Sequence, residues 1–170
     1  MTKDLYPYDA MFSPIRINRM TVKNRLVMAP MGNISMCEET GRPNEKMIQY
    51  FIERAKGGVG LITSGLVPVS FGIDHSIIEL GKLSYFPRID RSRTVFAAWR
   101  DIAAGVHAYG AKFFIQLTPG LGRVGNPQCL VNSLKFPVSS SLNPNFYMSQ
   151  VPCLPLSGRK LNHIIKNAGQ

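Results

Sequence analysis

The chain has 170 residues, 45% of them apolar and 18% charged, with a mean hydropathy of −0.01, the composition of a globular domain with a core of its own. No apolar run reaches the roughly 18 residues that cross a bilayer, and Asp4 stands where a secretory leader has its apolar stretch, so the chain reads as cytoplasmic. A formal charge of +10 raises the alternative of a basic nucleic-acid-binding domain, but Lys and Arg form no run and are not interleaved with aromatics, which argues against it.

In chain order, Ile15–Ile17 and Thr21–Lys23 flank a turn at Asn18-Arg19 and predict a hairpin. It leads directly into a first apolar strand over 25–28. A polar loop over 32–44 ends at Asn44, a residue suited to cap a helix. That helix spans Glu45 to Lys56: Met47, Ile48, Phe51, Ile52 and Ala55 lie on one stripe, and Gly57-Gly58 stops it.

A second strand follows over 59–63, then a long irregular stretch over 66–90 with Pro68, Gly72, Gly81 and Pro87. A loop of that length usually serves a site or an interface. The second helix starts near Ser92 and ends at Gly110, its core face marked by Val95, Trp99, Ile102 and Val106. A third strand, read as buried over 112–115, ends at Gln116. From Gly120 to Pro155 the chain is rich in Gly, Pro, Ser and Asn and reads mostly as loop with room for a short hairpin. A last helix takes Ser157 as its cap and covers Arg159 to Ala168.

Strands that alternate with amphipathic helices and lack period-two polarity imply a parallel sheet covered by helices. The fold class is therefore α/β. A closed eight-stranded barrel takes about 250 residues, and here three strands consume most of the chain, which makes less than half of one. No Asp or Glu follows Asp101, an imbalance that fits a piece whose balancing half lies elsewhere. The expected organisation is a single incomplete domain over 1–170, with a hairpin over 12–24, a βαβαβ unit over 25–117, a loop-rich segment over 118–156 and a terminal helix over 157–169.

Three strand ends share one layout: apolar residues run into a short polar or glycine-bearing turn. These are Ala29-Pro30-Met31-Gly32, Thr63-Ser64-Gly65 and Gln116 before Pro119-Gly120. In α/β enzymes the carboxyl ends of strands carry the site. Pro30 fixes its turn, Gly32 admits close approach of a planar ligand, and Met31 offers a polarisable contact; an ordinary turn is the competing reading. Gly65 marks either a backbone approach to a ligand or a turn. Gln116 offers both a donor and an acceptor to a heterocycle edge, or else bonds a neighbouring loop.

Cys37, Cys129 and Cys153 have no Cys-x-x-Cys spacing and read as reduced thiols, and His75, His107 and His163 do not cluster. No metal site is expected. Nor does any complete dinucleotide or Walker-type glycine loop occur.

Taken together, Phe12-Ser-Pro-Ile-Arg-Ile, Thr21-Val-Lys-Asn-Arg-Leu-Val-Met-Ala-Pro-Met, Phe51-Ile-Glu-Arg-Ala-Lys-Gly-Gly-Val-Gly-Leu-Ile and Phe114-Ile-Gln-Leu followed by Gly-Arg resemble the old yellow enzyme family of NAD(P)H:flavin oxidoreductases. The likeness is greatest to its 2,4-dienoyl-CoA reductase, 2-enoate reductase and bile-acid-inducible branch, and it spans residues 11–168. The resemblance implies the amino-terminal portion of a TIM (β/α)8 barrel with a hairpin closing its base and FMN at the strand carboxyl ends. It further implies hydride transfer from NAD(P)H through FMN to the C=C of an enoate or enoyl-CoA, with no catalytic residue in this portion.

On that basis Pro30, Met31 and Gly32 would contact the isoalloxazine from the first strand end, Gly65 from the second, and Gln116 would bond its pyrimidine edge from the third. Iron–sulfur and FAD groups belong only to longer relatives. The chain departs from the family in three places: Gly32 replaces a Thr or Cys, Thr118-Pro119 replaces a His-bearing turn, and Arg159-Lys160 replaces acids at the start of the last helix. The family's substrate-binding His/His or His/Asn pair, proton-donor Tyr, flavin-contacting Arg and phosphate loops belong to later strands and have no counterpart here. The alternative is therefore a truncated or split-gene fragment, inactive alone and needing a complementary carboxyl-terminal chain.

Overall fold

The computed structural model of the chain describes residues 8–33, 35–70, 72–77, 85–89 and 92–169. Gly81 of the long loop and the segment carrying Asp4 lie outside the described residues. A short helix that the sequence did not announce, α1 (Asp9–Phe12), precedes the hairpin of β1 (Ile15–Ile17) and β2 (Met20–Val22). Ile15 pairs with Val22 and Ile17 with Met20, and Asn18 takes a positive φ of 52° in the two-residue turn.

Val22 is buried, and the Asn24 side chain donates to Gly58 O at 2.7 Å while accepting from Leu26 N at 3.2 Å. Lys23 reaches the carbonyl of Tyr109, just past the second long helix, at 2.7 Å. These bonds seat the hairpin across the amino ends of the sheet strands.

The central sheet is parallel, in the order β3 (Val27–Met28), β4 (Leu61–Pro68), β5 (Lys112–Thr118). One face is covered by α2 (Glu45–Lys56) and α3 (Arg93–Ala108), which form the core with it: Met47, Phe51, Ala55, Val95, Trp99, Ile102 and Val106 pack against Ile62 and Val67. Asn44 caps α2, its side chain accepting from Met47 N at 3.1 Å. The helices close on each other at Gly105, where any side chain would collide with Ile52. Phe113 of β5 meets Phe51 edge-on, with ring centroids 5.2 Å apart.

Two strand expectations are corrected. The second strand does not stop at Thr63: its pairing with β5 shifts register between Thr63 and Leu66 and resumes as far as Pro68, so the irregular stretch begins after Pro68. Ser64 and Gly65 form a bulge that resembles a turn only in sequence. The third strand is not buried either. Its alternate residues Phe113 and Ile115 pack on the helices, but Phe114 is 45% exposed on the opposite face, which no described element covers.

Beyond β5 the chain is more ordered than its composition suggests. A 3-10 turn (Gly122–Val124) and α4 (Cys129–Ser133) precede β6 (Val138–Ser139), β7 (Asn143–Pro144) and β8 (Pro152–Pro155), with β8 between the other two. The antiparallel β7–β8 pair is the short hairpin; the parallel β6–β8 contact was not anticipated. Finally α5 (Gly158–Ala168), capped by Ser157, buries Ile164 against Val69 and Ile73.

Candidate functional site

A parallel sheet places the carboxyl ends of its strands on one side, so the tips that follow β3, β4 and β5 are neighbours by construction. Pro30, Met31 and Gly32 are exposed, Met31 to 60%. Gln116 is also exposed, and its carboxamide makes no hydrogen bond with any described residue. Gly65 lies beneath this surface and is buried: a methyl group there would overlap the Met31 carbonyl and the Gly32 Cα. Its close approach is thus to the first strand's loop.

Two side chains passed over as site residues tie the tips together. Asn33, 4% exposed, accepts from Gly65 N at 3.2 Å. Ser64, fully buried, donates to Gly65 O at 3.0 Å and accepts from Gln116 N at 3.3 Å. The available signal was a small polar residue inside or just after an apolar run, where a buried hydroxyl or amide must find partners.

The loop after β5 is fixed by Asp74. This buried carboxylate accepts from Leu121 N at 2.9 Å, from Ser76 N at 3.0 Å and from Ser76 Oγ at 2.5 Å. Farther along, buried Asn145 donates to Gly125 O at 2.7 Å and accepts from Tyr147 N and Met148 N at 2.9 and 3.1 Å. Between these two fasteners an open groove is lined by Leu121, Val124, Asn126, Pro127, Tyr147 and Met148, and it begins three residues past the end of β5.

Beneath it, burial pushes the Cys129 thiol above its ordinary pKa, and the Asp74 carboxylate and Cys153 push it the same way, so it stays neutral. All three cysteines are buried and none forms a disulfide. Among the described residues, no group of His, Cys, Asp and Glu has the makings of a metal site and no helix is long and apolar enough to cross a membrane.

None of Pro30, Met31, Gly32, Gly65 and Gln116 titrates, so the tips offer surface and hydrogen bonding, not acid–base chemistry. An exposed carboxamide without a partner among the described residues, one strand away from the exposed Pro-Met-Gly segment, offers groups for the polar edge and the face of a planar heterocycle. FMN fits that donor set.

The model of the NADH:flavin oxidoreductase / NADH oxidase family matches residues 10–150. Cinnamate reductase of Clostridium sporogenes is 34% identical over 163 residues, 96% of this chain and 24% of that protein. Among solved structures, the old yellow enzyme homologue from Zymomonas mobilis superposes with a TM-score of 0.66 at 26% identity, covering 93% of this chain and 42% of the other. A 2-naphthoyl-CoA reductase gives 0.71 at 22% identity, over 94% of this chain and 24% of the other, a likeness of fold alone. The chain therefore spans less than half the length of each of these relatives.

Proposed function

Because the chain belongs to the NADH:flavin oxidoreductase / NADH oxidase family, we propose that it forms the ring-binding side of an FMN-dependent ene-reductase. Pro30, Met31 and Gly32 would lie against the isoalloxazine, and the Gln116 carboxamide would bond its pyrimidine edge; Gly65 serves by letting the first loop settle onto the second strand. When bound, FMN supplies hydride chemistry between NAD(P)H and the C=C of the substrate. The chain's own residues orient the ring and wall the space beside it. The observation that carries this reading is the convergence of three tied strand ends on one side, with Gln116 exposed and unpartnered among them.

The substrate we assign is an α,β-unsaturated carboxylate or acyl thioester with a flat apolar substituent. Support comes from the groove beside the third tip, where Tyr147, Met148, Val124 and Pro127 offer apolar surface, and from the name of the relative aligned over nearly the whole chain, a cinnamate reductase. Turnover requires the remainder of a barrel, whether on the same chain or on a complementary one.

The test is to join or co-express the chain with the later strands of such a barrel and assay the purified product with FMN. A yellow complex that oxidises NADH or NADPH only when a 2-enoate is added supports the reading. Gln116→Leu is expected to weaken FMN binding about tenfold, the worth of a hydrogen bond or two. A folded but colourless complex, or FMN affinity indifferent to Gln116, overturns it.

A further inference from the structure

We propose that Asn33 and Ser64 are positioning residues: two buried side chains that bridge the break in the backbone ladder at the strand tips and set how far apart Met31–Gly32 and Gln116 are held. The proposal rests on the reading above that these tips face FMN. It begins from an irregularity in the sheet. Backbone pairing between β4 and β5 shifts between Thr63 and Leu66, and β3 has already ended at Met28. At the bulge Gly65 stands in no ladder pair, while Gln116 is where pairing resumes, opposite Leu66.

Side-chain oxygens reach both amides. Asn33 Oδ1 takes Gly65 N at 3.2 Å, and Ser64 Oγ takes Gln116 N at 3.3 Å while donating to Gly65 O at 3.0 Å. The chain of contacts runs from the first tip through the second to the third: Asn33, Gly65, Ser64, Gln116. Across the unpaired Ser64-Gly65 step, where no ladder fixes the strand spacing, these side chains tie the first tip to the second and brace the point at which the second rejoins the third.

The consequence for binding is specific. The Gly65 and Gln116 backbone donors are consumed internally, so a ligand meets the exposed Met31–Gly32 backbone and the free Gln116 carboxamide. Asn33 and Ser64, 4% and 0% exposed, do not themselves reach the surface that a ligand meets. They act through the groups they hold, and bulges beside sites commonly re-aim a side chain in this way.

The test uses the 170-residue chain, labelled for NMR and titrated with FMN to millimolar concentration. In the unaltered chain, FMN is expected to shift the Gly32 amide and the Gln116 carboxamide, while the Gly65 and Gln116 amides exchange slowly. Asn33→Ala is expected to lose about tenfold in Gly65 protection and about tenfold in FMN affinity. Asn33→Leu, which keeps the bulk without the acceptor oxygen, should lose as much of both.

Should Asn33→Ala fail to fold, Ser64→Ala removes one hydroxyl and decides the matter through Gln116 alone: faster amide exchange and a weakened carboxamide response to FMN. An FMN response in the unaltered chain that both alanine variants leave unchanged overturns the positioning role and spares the cofactor reading. Absence of any response in the unaltered chain overturns both. Recovery of Gly65 protection and FMN affinity in Asn33→Leu also overturns the proposal, since a bulk packing role would then explain the loss without the hydrogen bond.

Discussion

Gly65 is glycine because the backbone of another strand's loop occupies the space of its side chain. A methyl group would have to displace the Met31 carbonyl and Gly32 Cα, which are peptide backbone and cannot rotate away. Gly65→Ala is therefore expected to cost at least about 2 kcal/mol, read as a lower urea midpoint at unchanged slope. The buried thiol of Cys129 gives a prediction in pH. Its folded pKa lies above the ordinary 9.0, so the unfolded chain loses that proton first. The associated stability is intact below 9.0 and is lost as pH rises through the raised value. Thermal melts across that range are expected to fall more steeply for the unaltered chain than for Cys129→Ala. Of the site, the exposed tip residues were legible because strand-end position and residue chemistry coincide in sequence. Asn33 and Ser64 were not, since their partners lie 32 and 52 residues away and their role appears only when the bulge brings them together.

The elements themselves differ in how openly the sequence declares them. Helix α2 is legible at both ends because Asn44, the stripe from Met47 to Ala55 and the glycine pair all agree. Strand β4 was cut short because Ser64-Gly65 carries turn chemistry, and only the pairing of Leu66–Pro68 with Gln116–Thr118 shows the strand continuing. The two-residue strands beyond β5 have no periodicity to read; they persist through fasteners such as Asn145. Two predictions belong at this scale. Phe51 is fully buried against Phe113 and Tyr50, so Phe51→Ala is expected to cost about 3–5 kcal/mol, enough to unfold a marginal domain in the absence of stabilisers. Helix α5 errs in the other direction. Ser157 accepts from Lys160 N at 3.4 Å, but Lys160 occupies the place where a capping box has Glu, and it sets positive charge at the positive helix end. Lys160→Glu is expected to gain about 0.5–1 kcal/mol in urea unfolding.

At the scale of the whole molecule the sheet is finished on one side only. Helices α2 and α3 cover one face, while Val27, 58% exposed, and Phe114 stand open on the other, and among the described residues β3 and β5 have no outer strand neighbours. In a closed barrel that face is interior, filled by side chains from strands across the axis. The same geometry governs cofactor affinity. On the reading proposed above, the tips would supply one edge and one face of a ring site, but the phosphate site of such barrels is built after the seventh and eighth strands, and a three-strand sheet has neither. Without that charged anchor, only the ring contacts hold FMN, and part of their energy is spent immobilising the ligand. The isolated chain is accordingly expected to bind FMN more weakly than about micromolar by fluorescence quenching and to bind a hydrophobic dye at its open sheet face. Adding the later strands should abolish the dye signal and tighten FMN binding together, because one closure event both covers Phe114 and supplies the anchor. Saturable FMN binding tighter than micromolar by the chain alone would show that the three tips suffice, and the barrel's later strands would then be needed for turnover alone.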